Sequence, residues 1–343
     1  MQSDVNYVLG DQLPETGDAI EVAEGVLWVR MPLPFALNHV NLFLLEDGDG
    51  WTLVDTGIAS TEIKQAWDAV LAKYLGGKPI TRIIVTHYHP DHMGCTGWLM
   101  EKYPGDLLMT RTEWLSARAT KLEEASNFVN GVSKFYGKTG LSPTMLADMQ
   151  DLGNSYARMV SDVPMSYTRI KADSEIEIGG RIWKPIIASG HSPEHACLWC
   201  DEHKLLLGGD FLLPRISPNI SVWWSEPESN PLKDYIEFLG TLDHINEETL
   251  ILPSHDRPYI GLGLRTKDLR THHQDRLDIC MDVCREAPAT AAEAMTALFK
   301  RQLDAHQTRF AIGEALSHLN VLVEDGSISK WLDDEGVWRY QVA

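Results

Sequence analysis

The chain has 343 residues; 44% are hydrophobic, 23% are charged, and 49 acidic against 30 basic residues give a net charge of −19. This composition excludes a disordered or fibrous protein, and the negative charge disfavours nucleic acids and anionic membranes as partners. There is no run of ~20 apolar residues, no signal-peptide pattern and no even set of cysteines for a disulfide framework, so we expect a soluble, reduced, cytoplasmic protein without a membrane partner.

Strand patterns dominate the first part of the chain. Alternating residues predict a strand over Ile20–Met31, and two further strands, Val40–Leu45 and Trp51–Val54, flank a turn rich in Asp and Gly. Helical periodicity follows over Ser60–Leu75. The short apolar strand Arg82–Val85 then leads into a polar loop. This order is typical of an α/β fold, in which functional loops follow the carboxyl ends of strands.

A helical segment at about 112–161 separates this part from a second set of strands. Its side chains include many aromatic residues and methionines, and we expect most of them to pack the core of this insert. Further strands are predicted at Ser174–Ile178, Arg181–Ala188, Ala196–Cys200, Leu205–Gly208 and Thr249–Leu252, with a helix at Leu232–His244. The second half therefore repeats the order of the first: strands, a helix, and polar loops that carry histidine.

The character of the chain changes after residue 263. Three helices are predicted at Leu264–Arg285, Thr290–Arg301 and Thr308–Val323, followed by a hairpin over Ile328–Val342. Three helices and a hairpin resemble a winged-helix module. Because residues 264–343 contain more acidic than basic residues, a packing or dimerising role is favoured over DNA binding. We divide the chain into a catalytic domain, 1–263, and this C-terminal domain, 264–343.

The strongest chemical signal is the motif His87-x-His89-x-Asp91-His92. Packing alone hardly explains three imidazoles and a carboxylate within six residues, since each would have to lose its hydration. His87 and His89 lie on one side of an extended segment, and Asp91 and His92 follow a turn stiffened by proline, so one loop can serve two adjacent ions. Imidazole and carboxylate without thiolate are typical of a catalytic, water-accessible zinc or a similar ion.

Three further candidate ligands, His191, Asp210 and His255, each follow an apolar run. The runs are predicted strands, so the three side chains lie where α/β proteins place their sites.

These residues resemble those of the metallo-β-lactamase-fold hydrolases. The resemblance covers about residues 18–262 and rests on the segments Leu53–Gly57, Thr86–Gly94, Gly190–Pro193, Gly208–Asp210 and Pro253–His255. It implies a four-layer αβ/βα sandwich with the metals at one edge. It also implies a ligand set: His87, His89 and His191 for one metal, Asp91, His92 and His255 for the other, and Asp210 as the bridge. Two divalent transition-metal ions are expected, zinc first, with iron or manganese as alternatives.

The predicted chemistry is hydrolysis. Diiron redox relatives usually carry Glu where His89 stands, so this His favours a hydrolase, with an iron-dependent thiol dioxygenase as a minor alternative. Two adjacent metals would supply a bridging hydroxide at neutral pH, and Asp91 could pass a proton to the leaving group. Asp55 either orients a ligand loop through hydrogen bonds or simply forms a turn.

The predicted substrate is a small molecule, namely a thioester or ester of a small organic acid. The helical insert and the winged-helix-like C-terminal domain differ from the compact glyoxalase II type. The C-terminal domain resembles those of acyl-thioester hydrolases and endoribonucleases. Tyr136, Trp114 and Trp223 are the candidate substrate-binding residues. The alternative is that the apolar side chains of the helical insert contact a second subunit in a homodimer. A lactonase is the nearest rival reaction, an endoribonuclease-like enzyme the rival of another class, and a non-catalytic interaction protein the most distant.

Overall fold

A computed structural model describes residues 5–343 of the chain. Two seven-stranded sheets pack face to face, and helices cover the outer face of each sheet. The predicted four-layer α/β fold is therefore confirmed. Within the described range, none of the helices combines the length and the apolar character that crossing a bilayer requires.

The first sheet contains residues from the first half of the chain. Its strands, in spatial order, are β2 (Ala19–Ala23), β3 (Val26–Pro32), β4 (His39–Asp47), β5 (Gly50–Val54), β6 (Ile80–Ile84), β7 (Asp106–Met109) and β8 (Thr168–Arg169). Pairing is antiparallel from β2 to β5 and parallel from β5 to β8. The single strand predicted over Ile20–Met31 is wrong. A turn at Gly25, whose φ of 66° suits glycine, folds this stretch into a hairpin.

The second sheet contains most of the later strands. In spatial order they are β1 (Asn6–Tyr7), β14 (Tyr259–Ile260), β13 (Leu250–Pro253), β12 (Leu205–Gly209), β11 (His195–Cys200), β10 (Arg181–Ala188) and β9 (Ile176–Ile178). Only β12 and β13 pair in parallel; the other neighbours in this sheet of the described chain are antiparallel.

Helices cover the sheets and form the insert and the C-terminal region. They are α1 (Thr61–Tyr74), α2 (Pro90–Met93), α3 (Thr96–Lys102), α4 (Arg111–Leu122), α5 (Ala125–Tyr136), α6 (Pro143–Asp151), α7 (Ser155–Met159), α8 (Pro231–Thr241), α9 (Leu262–Glu286), α10 (Ala291–Leu298) and α11 (Ala305–Glu324). The first helix illustrates how local sequence sets an element. The Ser60 hydroxyl accepts a hydrogen bond from the Ile63 amide and caps α1, which buries Ile63, Trp67 and Val70 on one face.

Three hydrophobic cores fill the spaces between the layers. The central core lies between the two sheets, where Trp28 of the first sheet and Trp183 of the second are fully buried. A second core lies between the first sheet and its helices, including α1 and α3. The third joins the second sheet to α8, α9 and α11. All five cysteines are buried and free, as expected without a disulfide framework.

The insert has no core of its own. Ala117 of α4 and Tyr156 of α7 belong to the core of the first sheet. Phe128 and Phe135 of α5 and Met149 of α6 belong to the core of the second sheet. The expectation that its aromatic residues mostly pack within the insert is therefore wrong. Four short helices enclose too little volume to form a separate core, so they extend the two existing ones.

The C-terminal module, residues 262–343, has the three predicted helices, α9 to α11, and the predicted hairpin of β15 (Ile328–Leu332) and β16 (Trp338–Val342). It packs on the insert of the same chain: the amide of Ala292 donates to the Thr139 carbonyl at 2.9 Å, and that of Trp338 to the Lys138 carbonyl at 2.8 Å. Helix α9 runs without interruption from Leu262, so the boundary predicted at 263/264 falls inside its first turn and stays a prediction.

Candidate metal centre

The loop after β6 carries four of the predicted ligands. From the end of the strand the chain passes through His87 and His89 into the short helix α2, which holds Asp91 and His92. His87 and His92 are fully buried, and the side chain of Asp91 is 18% exposed. This one segment therefore presents three imidazoles and a carboxylate to the same edge of the first sheet.

Backbone contacts hold this loop in place. The Thr56 amide donates to the His92 carbonyl at 2.9 Å, and the Cys95 amide donates to the Gly57 carbonyl at 2.9 Å. A Cβ at Gly94 would lie 2.5 Å from the Gly57 carbonyl oxygen, so only glycine permits this close approach. The loop after β5 thus fixes the position of the ligand loop after β6.

The other three predicted ligands follow strands of the second sheet. His191 lies three residues after β10, Asp210 directly follows β12, and His255 lies two residues after β13. All three are buried. The two packed sheets thus bring segments distant in sequence to one edge of the sandwich.

The seven predicted ligands gather into two neighbouring groups. His87, His89, His191 and Asp210 form the first group, and Asp91, His92 and His255 form the second; within each, one donor atom per residue lies within 4.8 Å of the others. Asp210 connects the groups, because its Oδ2 is 3.2 Å from His191 Nε2 and its Oδ1 is 3.3 Å from His92 Nε2.

The donor atoms fit a metal better than they fit each other. His92 Nε2, His191 Nε2 and Asp210 Oδ1 are buried without a hydrogen-bond partner. An unsatisfied buried polar atom costs about 1–3 kcal/mol, so three that converge call for a shared partner. A divalent ion with a preference for imidazole and carboxylate satisfies all three.

Three of the histidines are oriented by a hydrogen bond at Nδ1, the ring nitrogen other than Nε2. His92 Nδ1 lies 2.8 Å from Asp55 Oδ2, His191 Nδ1 lies 2.7 Å from the Asn219 carbonyl oxygen, and His255 Nδ1 lies 2.6 Å from the His39 carbonyl oxygen. Each of these oxygens accepts, so Nδ1 carries the proton and Nε2 is left free for a metal.

Asp55 has the contacts of an orienting residue and the backbone of a turn. Besides accepting from His92, its carboxylate accepts from the amide of Thr86 at 2.8 Å and from its hydroxyl at 2.8 Å. Its φ of 62° lies in the left-handed region, which is uncommon for a residue other than glycine. The two roles weighed for Asp55 from the sequence therefore occur together in one residue.

The charges of the site suit a cation. Burial lowers the pKa of His87 and His89 well below the ordinary histidine value, and neighbouring imidazoles lower both further. Burial opposes charge on His92 too, but the carboxylates of Asp55, Asp91 and Asp210 raise its pKa well above that value. Against burial, His255 and His92 hold the pKa of Asp210 well below its ordinary value. Neutral His87 and His89 and ionised Asp210 are the forms that bind metal, and the carboxylates that attract a proton to His92 favour a divalent cation at the same place.

Glu113 joins the two halves of the site and was not among the residues predicted from the sequence. Its buried carboxylate accepts from the Tyr88 amide at 2.9 Å, the Ser192 hydroxyl at 2.8 Å and the Glu194 amide at 2.7 Å. It therefore connects the loop of His87 and His89 to the loop of His191. Burial raises the pKa of Glu113 to about 7 against these hydrogen bonds. No signal marks it in the sequence, because an acidic residue in the first turn of a helix is ordinary.

Two more histidines lie beside the centre without joining either group. The His195 ring is 5.0 Å from that of His87, and a Cβ at Gly209 would come within 2.2 Å of its Nε2. His39 accepts from the Asp256 amide at 2.7 Å. Both contacts are those of scaffold histidines.

The candidate substrate residues have different surroundings. Tyr136 is fully buried, so it lines no open surface here. Trp223 is half-buried and packs on Trp224, which also contacts Tyr136. Trp114 is not in this cluster: it stacks on Tyr167, and its indole N–H donates to the Pro164 carbonyl at 3.0 Å. The structure thus brings Tyr136 and Trp223 together and places Trp114 elsewhere.

Comparisons with known proteins agree with this geometry. A "Beta-lactamase domain protein" from Burkholderia ambifaria has a similar crystal structure, with a TM-score of 0.92 and 40% identity over 99% of this chain and 98% of that one. The "Probable metallo-hydrolase YqjP" of Bacillus subtilis is 24% identical over 92% of this chain and 97% of its own length. A shorter match is the "Atrochrysone carboxyl ACP thioesterase" of Passalora fulva, 29% identical over 27% of this chain and 28% of that protein.

Two family models match the chain. Residues 277–343 match the C-terminal domain described as metallo-beta-lactamase-like. Residues 36–255, which include all seven predicted ligands, match the metallo-beta-lactamase superfamily. The chain therefore belongs to the metallo-beta-lactamase superfamily.

Proposed function

We propose that the protein is a dinuclear metal-dependent hydrolase that cleaves a thioester or ester of a small organic acid. The observation that carries the proposal is the pair of adjacent donor groups joined by Asp210, with three unpaired donor atoms turned toward one another. The similarity to a metallo-hydrolase over nearly the whole chain supports the reaction class. We infer that zinc is the preferred ion in both groups.

The chemistry divides between the ions and the chain. Two bound divalent ions would polarise the substrate carbonyl and lower the pKa of water towards neutrality. Asp91 is the most accessible carboxylate of the set, and its Oδ2 lies 3.6 Å from both His92 Nε2 and His255 Nε2. It is placed to hold a proton and return it to the leaving oxygen or sulfur. His195 is fully buried and lies outside both donor groups, with its ring 5.0 Å from that of His87.

Three observations favour a thioester or ester over other bonds. Aromatic side chains, including Trp223, Trp224 and Phe310, gather where the C-terminal module meets the site, and apolar walls suit an organic acyl group. The net charge of −19 disfavours RNA. The short match to an acyl carrier protein thioesterase points to the same class of bond.

The test measures metal content and hydrolysis on the same preparations. Protein purified without chelator should contain close to two transition-metal ions per chain, and acyl-CoA or acylglutathione should be hydrolysed faster than a lactone, a β-lactam or a phosphodiester. Chelation should abolish turnover, and zinc should restore it.

Matched histidine variants separate the site from general effects. His191→Ala removes a donor of the first group, so it should lower metal content and reduce kcat by about 100-fold or more. His203→Ala removes an exposed imidazole and should change neither. Metal-free protein with full activity, or a phosphodiester as the best substrate, would contradict the proposal.

A further inference from the structure

An arginine of the C-terminal module lies in an aromatic cage. Arg309 is in the second turn of α11, and its guanidinium carbon lies 4.6 Å from the ring centroid of Trp224, 5.2 Å from that of Phe128 and 5.6 Å from that of Trp223. Its side chain also approaches the hydroxyl of Tyr136. These residues come from the insert and from the segment after Asp210, so three parts of the chain meet at one cation.

This cation has no acidic partner within residues 5–343. Four other arginines of the same module pair with carboxylates: Arg270 with Asp243 at 3.3 Å, Arg276 with Glu314 at 3.0 Å, Arg285 with Asp282, and Arg339 with Asp333 at 2.8 Å. Arg309 forms no such pair, and its Nε is buried without a hydrogen-bond partner. Arg309 is thus a half-buried guanidinium without a carboxylate partner in a chain with 49 acidic residues. Aromatic faces compensate for only part of its lost hydration.

The cage adjoins the first donor group by two routes. Phe310, the next residue after Arg309, accepts at its carbonyl from Asn219 Nδ2 at 3.4 Å, and the Asn219 carbonyl accepts from His191. Ser221 provides the second link, because its hydroxyl lies 2.7 Å from Asn219 Oδ1 and 3.1 Å from the Phe310 carbonyl oxygen, while the rings of His191 and His89 are 4.5 Å apart. A group held at Arg309 would therefore lie beside the side of the centre formed by His89 and His191.

Further aromatic contacts lie next to the cage. The Phe35 ring stacks on that of His306 at 5.3 Å, and His306 packs on Phe310 at 4.8 Å. Phe310 in turn contacts Trp223 at 5.8 Å. The N-terminal turns of α11 thus face the loop before β4. The first residue of β4, His39, orients His255 through its backbone carbonyl. The C-terminal module contributes to the surroundings of the metal centre as well as to packing.

We propose that Arg309 and its aromatic cage form a subsite for an oxyanion, a carboxylate or phosphate group carried by the substrate. A guanidinium presents two parallel N–H donors that match such a group. In naming the substrate class, this inference rests on the proposed function. The substrate would have two ends: an acyl carbonyl at the metals and an anionic group at Arg309.

Binding tests the subsite without turnover, because Trp223 and Trp224 report on it by fluorescence. The metal-loaded protein is titrated with glutarate, with inorganic phosphate and with the uncharged glutaramide. We expect a saturable change with one anion or both, and none with glutaramide. Glutarate alone indicates a carboxylate, and phosphate alone indicates a phosphate group. The absence of a saturable response to either anion would overturn the subsite.

Matched variants locate the anion. Arg309→Gln should weaken its binding by about 10-fold or more, since a bidentate charged contact is lost. Arg285→Gln removes the same charge from an exposed position of the module and should leave binding unchanged. An anion held only by the metals would bind the wild type and Arg309→Gln equally, which would overturn the proposal.

Kinetics then connect the subsite to the substrate. For a glutaryl thioester, Arg309→Gln should raise KM by about 10-fold and leave kcat nearly unchanged, because the lost contact is remote from the reacting bond. For the neutral butyryl thioester neither constant should change. An equal change for both substrates would show that Arg309 only supports its aromatic neighbours. If Arg309→Gln does not fold, Arg309→Lys decides: the loss of the planar fork should raise KM for the glutaryl substrate alone.

The two proposals fail in different ways. Anion binding that depends on Arg309, without hydrolysis of any ester or thioester, would refute the proposed function and keep the subsite. Thioester hydrolysis at a rate that depends neither on substrate charge nor on Arg309 would refute the subsite and keep the proposed function.

Discussion

The two halves of the molecule supply their ligands in different ways. The first half places four of the predicted ligands on one loop, from His87 to His92, whereas the second half places one predicted ligand after each of three strands. The loop is held by its own neighbourhood, since Asp55 and Thr56 of the preceding strand end contact it directly. His191 and His255 are instead held by backbone carbonyls of distant segments, those of Asn219 and His39. A local motif can therefore define half of a metal centre, while packing of the two halves completes it.

The largest effect should come from the one ligand that contacts both groups. Asp210→Ala should lower kcat by about 1000-fold or more and leave close to no bound metal, because the bridge between the groups is lost. His89→Ala, which removes a donor of the first group only, should retain about one ion per chain. Elemental analysis and kcat on the same samples test both variants. Two ions retained by Asp210→Ala would show that the halves bind metal independently.

The support of the local loop can be tested next. Asp55→Asn keeps the size of the side chain but removes the charge that orients His92, so the affinity of the second group should fall by about 10–100-fold. Titration with a competing chelator measures this loss for each ion. Asp106→Asn, at an exposed position of β7, is the control and should bind like the wild type. An unchanged affinity would mean that the backbone alone orients His92.

The support of the distant ligands calls for a different variant, because backbone carbonyls hold them. A Cβ at Gly313 of α11 would lie 2.7 Å from the Cβ of Ser221, so Gly313→Ala should push the segment that carries the Asn219 carbonyl. We expect a loss of about 3–10-fold in the affinity of the first group, which contains His191, and none in the second. Gly240→Ala on α8 meets no atom closer than 3.9 Å and serves as the control. Equal loss in both groups would indicate a general disturbance.

This contrast also explains what the sequence could predict. The sequence marks all seven side chains that the fold gathers into the two groups, four because they form a dense motif and three because each follows an apolar strand. The three helices of the C-terminal module were predictable from periodicity. Each predicted helix end lies within three residues of the observed end. Glu113, Asn219 and Arg309 were not predictable, because their importance arises from contacts between segments far apart in the chain. Asn219 contacts His191 through its backbone carbonyl, which no residue type can signal.

The smallest effect is expected at the other end of β4. Its first residue, His39, supports the metal centre, whereas its last, Asp47, joins the two sheets away from it. The Asp47 carboxylate pairs with Arg82 and accepts from the Gly179 amide at 3.0 Å. Burial alone would raise its pKa, but the hydrogen bonds from Arg82, Gly179 and Thr52 outweigh this and hold the pKa below its ordinary value of 3.8.

The sign of the pH dependence follows from that direction. Because the folded pKa is lower than the unfolded one, ionised Asp47 stabilises the fold above about pH 4, and this contribution is lost as the pH falls through the folded pKa. Asp47→Asn should therefore lower the free energy of unfolding by about 1 kcal/mol at pH 7, and the difference from the wild type should shrink as the pH falls from 5 to 3. Denaturant unfolding at several pH values measures it, with the exposed neighbour Asp49→Asn as the control. Turnover and metal content should stay unchanged, since the contacts lie at the far end of the strand; a loss of metal in Asp47→Asn would show that the two ends of β4 are coupled.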